Sequence, residues 1–140
     1  MKEAGVPYEQ VVEELETIKS TGRIFFTVGN LEYLQHGGRI GKVASVAGSV
    51  LGIRPLITLK EGEIFASGIA RGRNRSLDKV RELLLQYLQE VNAAKDCSDY
   101  SLAVGFGYDA AEAEEFQAAA VEFLNGKGYQ VTKEQFPIYQ

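Results

Sequence analysis

A chain of 140 residues, 45% hydrophobic and 24% charged, has the size and composition of one folded domain that buries a core of ordinary extent. Its formal charge of −4 and pI near 5.1 argue against a general polyanion binder such as a nucleic-acid protein, so any basic patch has to be local. The single Cys97 cannot close an internal disulfide and has no metal-ligand spacing around it, which points to a structural thiol in a reducing, cytoplasmic setting; no apolar run reaches bilayer-spanning length, and the start at Lys2 and Glu3 does not read as a signal peptide.

In chain order, residues 7–20 predict an amphipathic helix, with Val11, Val12, Leu15 and Ile18 at helical spacing, Pro7 in the first turn and Gly22 as the stop. Residues 23–28 are short, β-branched and aromatic between two glycines, the pattern of a buried strand. Asn30 is expected to cap a short helix over residues 31–36. That helix stops on Gly37 and Gly38, and Arg39 opens the next, expected over residues 40–51. Paired glycines allow positive φ, the following helix begins with unpartnered N–H groups, and a guanidinium stands beside them. Such a joint can hold a carboxylate or phosphate, or it is simply a turn. Small residues between Val43, Val46, Ala47 and Val50 let a thin apolar ligand approach this helix, or let it pack tightly on a sheet.

Residues 53–59 and 63–69 flank Glu61 and Gly62 as an antiparallel hairpin in which Pro55 needs a sheet edge or a strand start. Ser76 is expected to cap a helix running to about residue 94, striped by Val80, Leu83, Leu84, Tyr87, Leu88 and Val91. A strand over residues 100–106, a helix over 110–124 capped by Asp109 and ended by Gly126, and a last strand over 129–136 complete the reading. This order predicts an α+β fold, a two-layer α/β sandwich with one mixed β-sheet and its helices on one face.

Few residues carry chemistry. His36, the only histidine, has no triad spacing and suits a solvated helix end. Glu61 and Glu63 beside the hairpin, and Glu112, Glu114 and Glu115 at a helix start, stand where solubility and the helix dipole place carboxylates. The stretch Gly105-Phe106-Gly107-Tyr108-Asp109 lacks the third glycine and the Lys, Ser or Thr of a nucleotide loop. No metal or cofactor constellation is expected. Arg71, Arg73 and Arg75 form a local basic patch before a helix, suited to an acidic partner or else neutralised by Asp78 and Glu82.

Residues 31–56 resemble the signature of the DegV family of bacterial fatty-acid-binding proteins, and the hairpin 59–64 with Arg71-Gly72-Arg73 follows in the order of that family's C-terminal domain. The resemblance implies the same sandwich over residues 1–140 as a single domain, and a protein that shields a long-chain fatty acid and presents its carboxylate to a separate fatty acid kinase subunit without doing chemistry itself. It implies Gly37, Gly38, Arg39 and Ile40 near the head group, Val43, Val46 and Val50 along the tail, and Arg39 and Arg71 toward the partner; Arg73 joins them on charge alone. Family members are longer, so the N-terminal α/β lipid-binding domain and the closing strands are expected to be absent, lipid binding by this chain alone to be poor, and the edge of residues 129–136 to be open to pairing in a homodimer. A stand-alone interaction module that no longer binds lipid is the competing expectation. An enzyme resembling dihydroxyacetone kinase substrate domains finds little support, because His36 has no matching motif.

Overall fold

The computed structural model describes residues 5–29, 31–38, 43, 52–91, 95–96 and 100–140. Along the chain these form α1 (Tyr8–Thr21), β1 (Arg23–Thr27), α2 (Glu32–His36), β2 (Ile53–Lys60), β3 (Glu63–Arg71), α3 (Arg73–Glu90), β4 (Val104–Gly105), α4 (Ala110–Gly126) and β5 (Ile138–Tyr139). Helices and strands mix as an α+β chain, with antiparallel pairing in a sheet ordered β1-β2-β3 and parallel pairing between β4 and β5. The chain divides into two compact units, Met1–Ser76 and Leu77–Gln140, with the boundary in the first turn of α3.

In the first unit the hairpin turns as its residues require. Glu61 and Gly62 take φ of 52° and 81°, the positive values of a primed two-residue turn, and set Lys60 opposite Glu63. Pro55 lies in the central strand, yet the β1 ladder ends with Thr27 opposite Leu56. At Pro55, therefore, β2 has β3 as its only ladder neighbour among the described residues, and its missing N–H costs no bond. A register shift between Leu56 and Ile57 leaves Ser67 as the extra residue of β3. The Ser67 hydroxyl finds Thr58 Oγ1 at 2.6 Å, and Gly68 adopts φ of 132° beside it. Because L-residues rarely take that backbone conformation, Gly68→Ala is expected to destabilise this unit by about 1–3 kcal/mol, seen as a lower denaturant midpoint.

Helix α1 forms nearly where its periodicity places it, but none of its residues is buried, and Tyr8, Val12, Leu15 and Ile18 present an exposed apolar stripe. Local bonds hold it: Pro7 O accepts from Val11 N at 3.0 Å, Gly22 N donates to Ile18 O at 3.0 Å, and Lys19 pairs with Glu16.

Ser76 is not the cap expected of it. Helix α3 begins at Arg73, because Gly72 at φ 83° turns the chain straight out of β3 while its N–H donates to Gly52 O at 2.9 Å. Ser76 is instead fully buried inside the first turn, its hydroxyl donating to Arg73 O at 2.6 Å. The helix ends at Glu90, and residues 92–94 of its expected span lie outside the described residues.

The second unit is built around Leu88, Val104, Ala113, Ala120, Leu124, Tyr129, Val131 and Phe136, with Leu84, Leu85 and Phe116 packed against them. Asp109 caps α4 as expected, accepting from Glu112 N at 3.0 Å. The strands are shorter than the alternation implies: of residues 100–106 only Val104 and Gly105 join a ladder, opposite Ile138 and Tyr139. Residues 129–136 form no strand, because α4 side chains take up their backbone groups. Asn125 donates to Val131 O at 3.0 Å and accepts from Val131 N at 2.8 Å, while Gln117 Nε2 donates to Phe136 O at 2.8 Å. Tyr129, Val131 and Phe136 still point inward, which produced the strand-like pattern.

Beyond this clamp, Thr132 N donates to Gln135 Oε1 at 3.0 Å, closing a short turn over residues 132–135. The Glu134 carboxyl in that turn is held below the usual glutamate range by its own backbone N–H and the Thr132 hydroxyl. A depressed carboxyl stabilises the fold above its unfolded pKa and ceases to do so as pH falls through the folded one. Acidification below the ordinary glutamate range is therefore expected to loosen this exposed turn before the core, visible as shifts of the Thr132 and Gln135 amides in an NMR titration that track the Glu134 carboxyl.

Candidate functional site

The glycine joint is the first candidate. Helix α2 is short, with Gln35 N donating to Leu31 O at 2.9 Å, and it closes as Gly38 N donates to Gln35 O at 3.0 Å. Gly38 has φ of 67°, the positive value expected where a helix hands over to a new direction. His36, Gly37 and Gly38 are exposed. Val43 has 0% exposure, the burial expected of an apolar face. Asn30, Arg39, Ile40, Val46 and Val50 lie outside the described residues, as does the helix expected over residues 40–51 apart from Val43.

The basic patch is the second. Arg71 is the last residue of β3, opposite Ile53, and is exposed; Arg73 is half-buried at the start of α3, and Arg75 is exposed in its first turn. The first turn of α3 carries no acidic residue. Positive charge from Arg73 and Arg75 therefore stands at the positive end of the helix dipole. Asp78 and Glu82, the carboxylates that the bland reading assigns to these arginines, are engaged on the helix itself, Asp78 by Arg81 and Glu82 by Lys79. Arg81 also lies 5.6 Å from the Phe116 ring centroid, which fixes it within the second unit.

One cation escaped the sequence reading. Arg54 in β2 is half-buried, and its Nη1 lies beside Gly29, 3.7 Å from where a Cβ would stand there, an ordinary van der Waals separation. The signal available was a glycine two residues beyond Thr27, which faces Leu56 in the ladder. Thr27 Oγ1 is buried without a hydrogen-bond partner. Among the described residues no group of three or more His, Cys, Asp or Glu is placed to hold a metal, and no helix is long and apolar enough to cross a membrane.

This geometry meets known proteins at the level of the whole chain. A family model described as an uncharacterised protein of the DegV family matches residues 1–136. The chain belongs to the DegV family. A DegV domain-containing protein of Clostridium perfringens is 40% identical over 87 residues, covering 61% of this chain and 31% of that protein. A second, from Clostridium acetobutylicum, is 30% identical over 122 residues, covering 86% of this chain and 42% of the relative. Among solved structures, a stearic-acid-binding protein from Eubacterium ventriosum superposes with a TM-score of 0.79 at 41% identity, over 89% of this chain and 41% of that one. A fatty-acid-binding DegV-family protein from Thermus thermophilus superposes with a TM-score of 0.67 at 29% identity, over 97% of this chain and 44% of that one. The chain thus spans less than half the length of each of these relatives.

Proposed function

We propose that this DegV-family chain contributes one side of a fatty-acid-binding cleft and does no chemistry itself. The likeness to the stearic-acid-binding protein, at a TM-score of 0.79 over 89% of the chain, carries this reading. On it, residues 1–140 act as one family domain, and the part of the family's length outside this chain completes the cleft. Gly37, Gly38, Arg39 and Ile40 stand near the carboxylate, and Val43, Val46 and Val50 line the tail. Arg39, Arg71 and Arg73 face a fatty acid kinase subunit that takes the presented carboxylate, and the protein works in the cytoplasm.

Native mass spectrometry of the purified chain tests this reading. Ligand-free chain that takes up oleate weakly, while a full-length relative retains it, is the expected result. Co-purified fatty acid at full occupancy would show a cleft complete within the chain or its oligomer and would sink the division of labour proposed here. A protein-interaction module without lipid is a second reading, favoured by the exposed Arg71 and Arg75 and by the pairing of Asp78 with Arg81 and of Glu82 with Lys79. The same spectrum reads a homodimer as a doubled mass.

A further inference from the structure

We propose that Asn125 is a deamidation site, closed by the fold and opened by local unfolding, whose modification permanently loosens the second unit. The sequence contains a single Asn-Gly pair, Asn125-Gly126, and both residues are exposed at the last turn of α4. Glycine after asparagine presents a backbone nitrogen with no side chain to hinder it, and beyond its chain neighbours and its own helix backbone nothing stands within 4 Å of where a Gly126 Cβ would be. In the reaction the Gly126 nitrogen attacks Asn125 Cγ. The new C–N bond closes a succinimide, the Cγ–Nδ2 bond breaks, and the amide proton of Gly126 leaves with the nitrogen as ammonia. Water then adds to one of the two ring carbonyls, and ring opening leaves aspartate or isoaspartate.

The folded chain holds both participants out of position. The Asn125 carboxamide is tied at both atoms, Nδ2 to Val131 O at 3.0 Å and Oδ1 to Val131 N at 2.8 Å, and its own carbonyl accepts from Gly128 N at 3.0 Å. Gly126 is still helical. Ring closure therefore requires the last turn of α4 to unwind and residues 129–131 to lift away, so the rate follows the population of that opening. The product cannot reclose in the same way. An aspartate offers Val131 O a carboxylate where it had a donor, and an isoaspartate adds a backbone atom at the joint. Tyr129 and Val131, both core residues, are the side chains this clamp positions.

The test incubates the intact chain at mildly alkaline pH, folded and in denaturant, and follows the peptide containing Asn125 by mass together with enzymatic isoaspartate labelling. Conversion with isoaspartate label at least about tenfold faster in denaturant is expected, matching the net loss of one side-chain-to-backbone hydrogen bond as the least cost of opening. Gly126→Ala should suppress the conversion in denaturant, and Asn125→Asp should speed hydrogen exchange at the Val131 amide by about tenfold. Equal rates folded and unfolded would overturn the gating. Unchanged conversion in Gly126→Ala, or no isoaspartate in the unfolded chain, would overturn the chemistry, and undisturbed Val131 exchange in Asn125→Asp would overturn the consequence.

Discussion

Leu124→Ala is expected to unfold most of the second unit at room temperature. Leu124 is completely buried on α4, in the cluster that includes Leu88, Val104, Tyr129 and Phe136. Its carbonyl also receives the N–H groups of Lys127 at 2.9 Å and Tyr129 at 3.1 Å, so the residue both fills the core and directs the chain out of the helix. Truncation at such a site costs about 2–5 kcal/mol, depending on how far the neighbours close in. Domain stabilities are about 5–15 kcal/mol, and a unit this small belongs at the low end, so the loss is comparable to the whole. Val91→Ala provides the contrast: Val91 is 40% exposed, and its truncation should shift stability by no more than about 0.5 kcal/mol. Far-UV circular dichroism melts of the two variants read the difference. A cooperative melt for Leu124→Ala within a few degrees of the parent would mean that the cluster around α4 is not the core that holds residues 77–140.

Much of the fold was legible where the determinant is local. The Glu61-Gly62 turn, the apolar strands on either side of it, the Asp109 cap and the glycine stop of α1 each follow from residues within a few positions of one another, whereas α4 runs through Gly126, the glycine expected to end it, and is capped at Lys127. Misreadings arose where a distant or competing group decides. Ser76 with Asp78 after it has the form of a helix start, but the turn made by Gly72, tied to Gly52 across the ladder, begins the helix earlier. Residues 129–136 have the form of a strand because Tyr129, Val131 and Phe136 all face the core, yet Asn125 and Gln117 satisfy their backbone in place of a neighbouring strand. The choice between a ladder and a side-chain clamp depends on which helix lies alongside, and period alone does not carry it. At the candidate site the positive φ of Gly38 was legible from the paired glycines. The apposition of Arg54 and Gly29 was not, because it depends on the register of β1 against β2.

Arg71→Glu is expected to cost the proposed kinase partner tenfold or more in affinity while leaving the first unit folded. Arg71 is exposed at the end of β3, where the chain leaves the ladder, so a carboxylate there meets solvent and not the core. The patch it shares with Arg73 and Arg75 lies at the positive end of α3, a position that favours anions, and Asp78 and Glu82 are held by Arg81 and Lys79. An acidic surface docking there would lose one attraction and gain one repulsion, and like charges facing each other at an interface cost on the order of several kcal/mol when water is excluded. Lys133→Glu, the same charge change at an exposed residue of the second unit, controls for net charge and should leave binding close to the parent value. The comparison is best made by titration at two salt concentrations. A contact carried by Arg71 weakens with ionic strength in the parent and loses most of that dependence in Arg71→Glu. Equal loss in both variants would mean that the partner reads the chain's overall charge, and the α3 patch would then have no special claim to the interface.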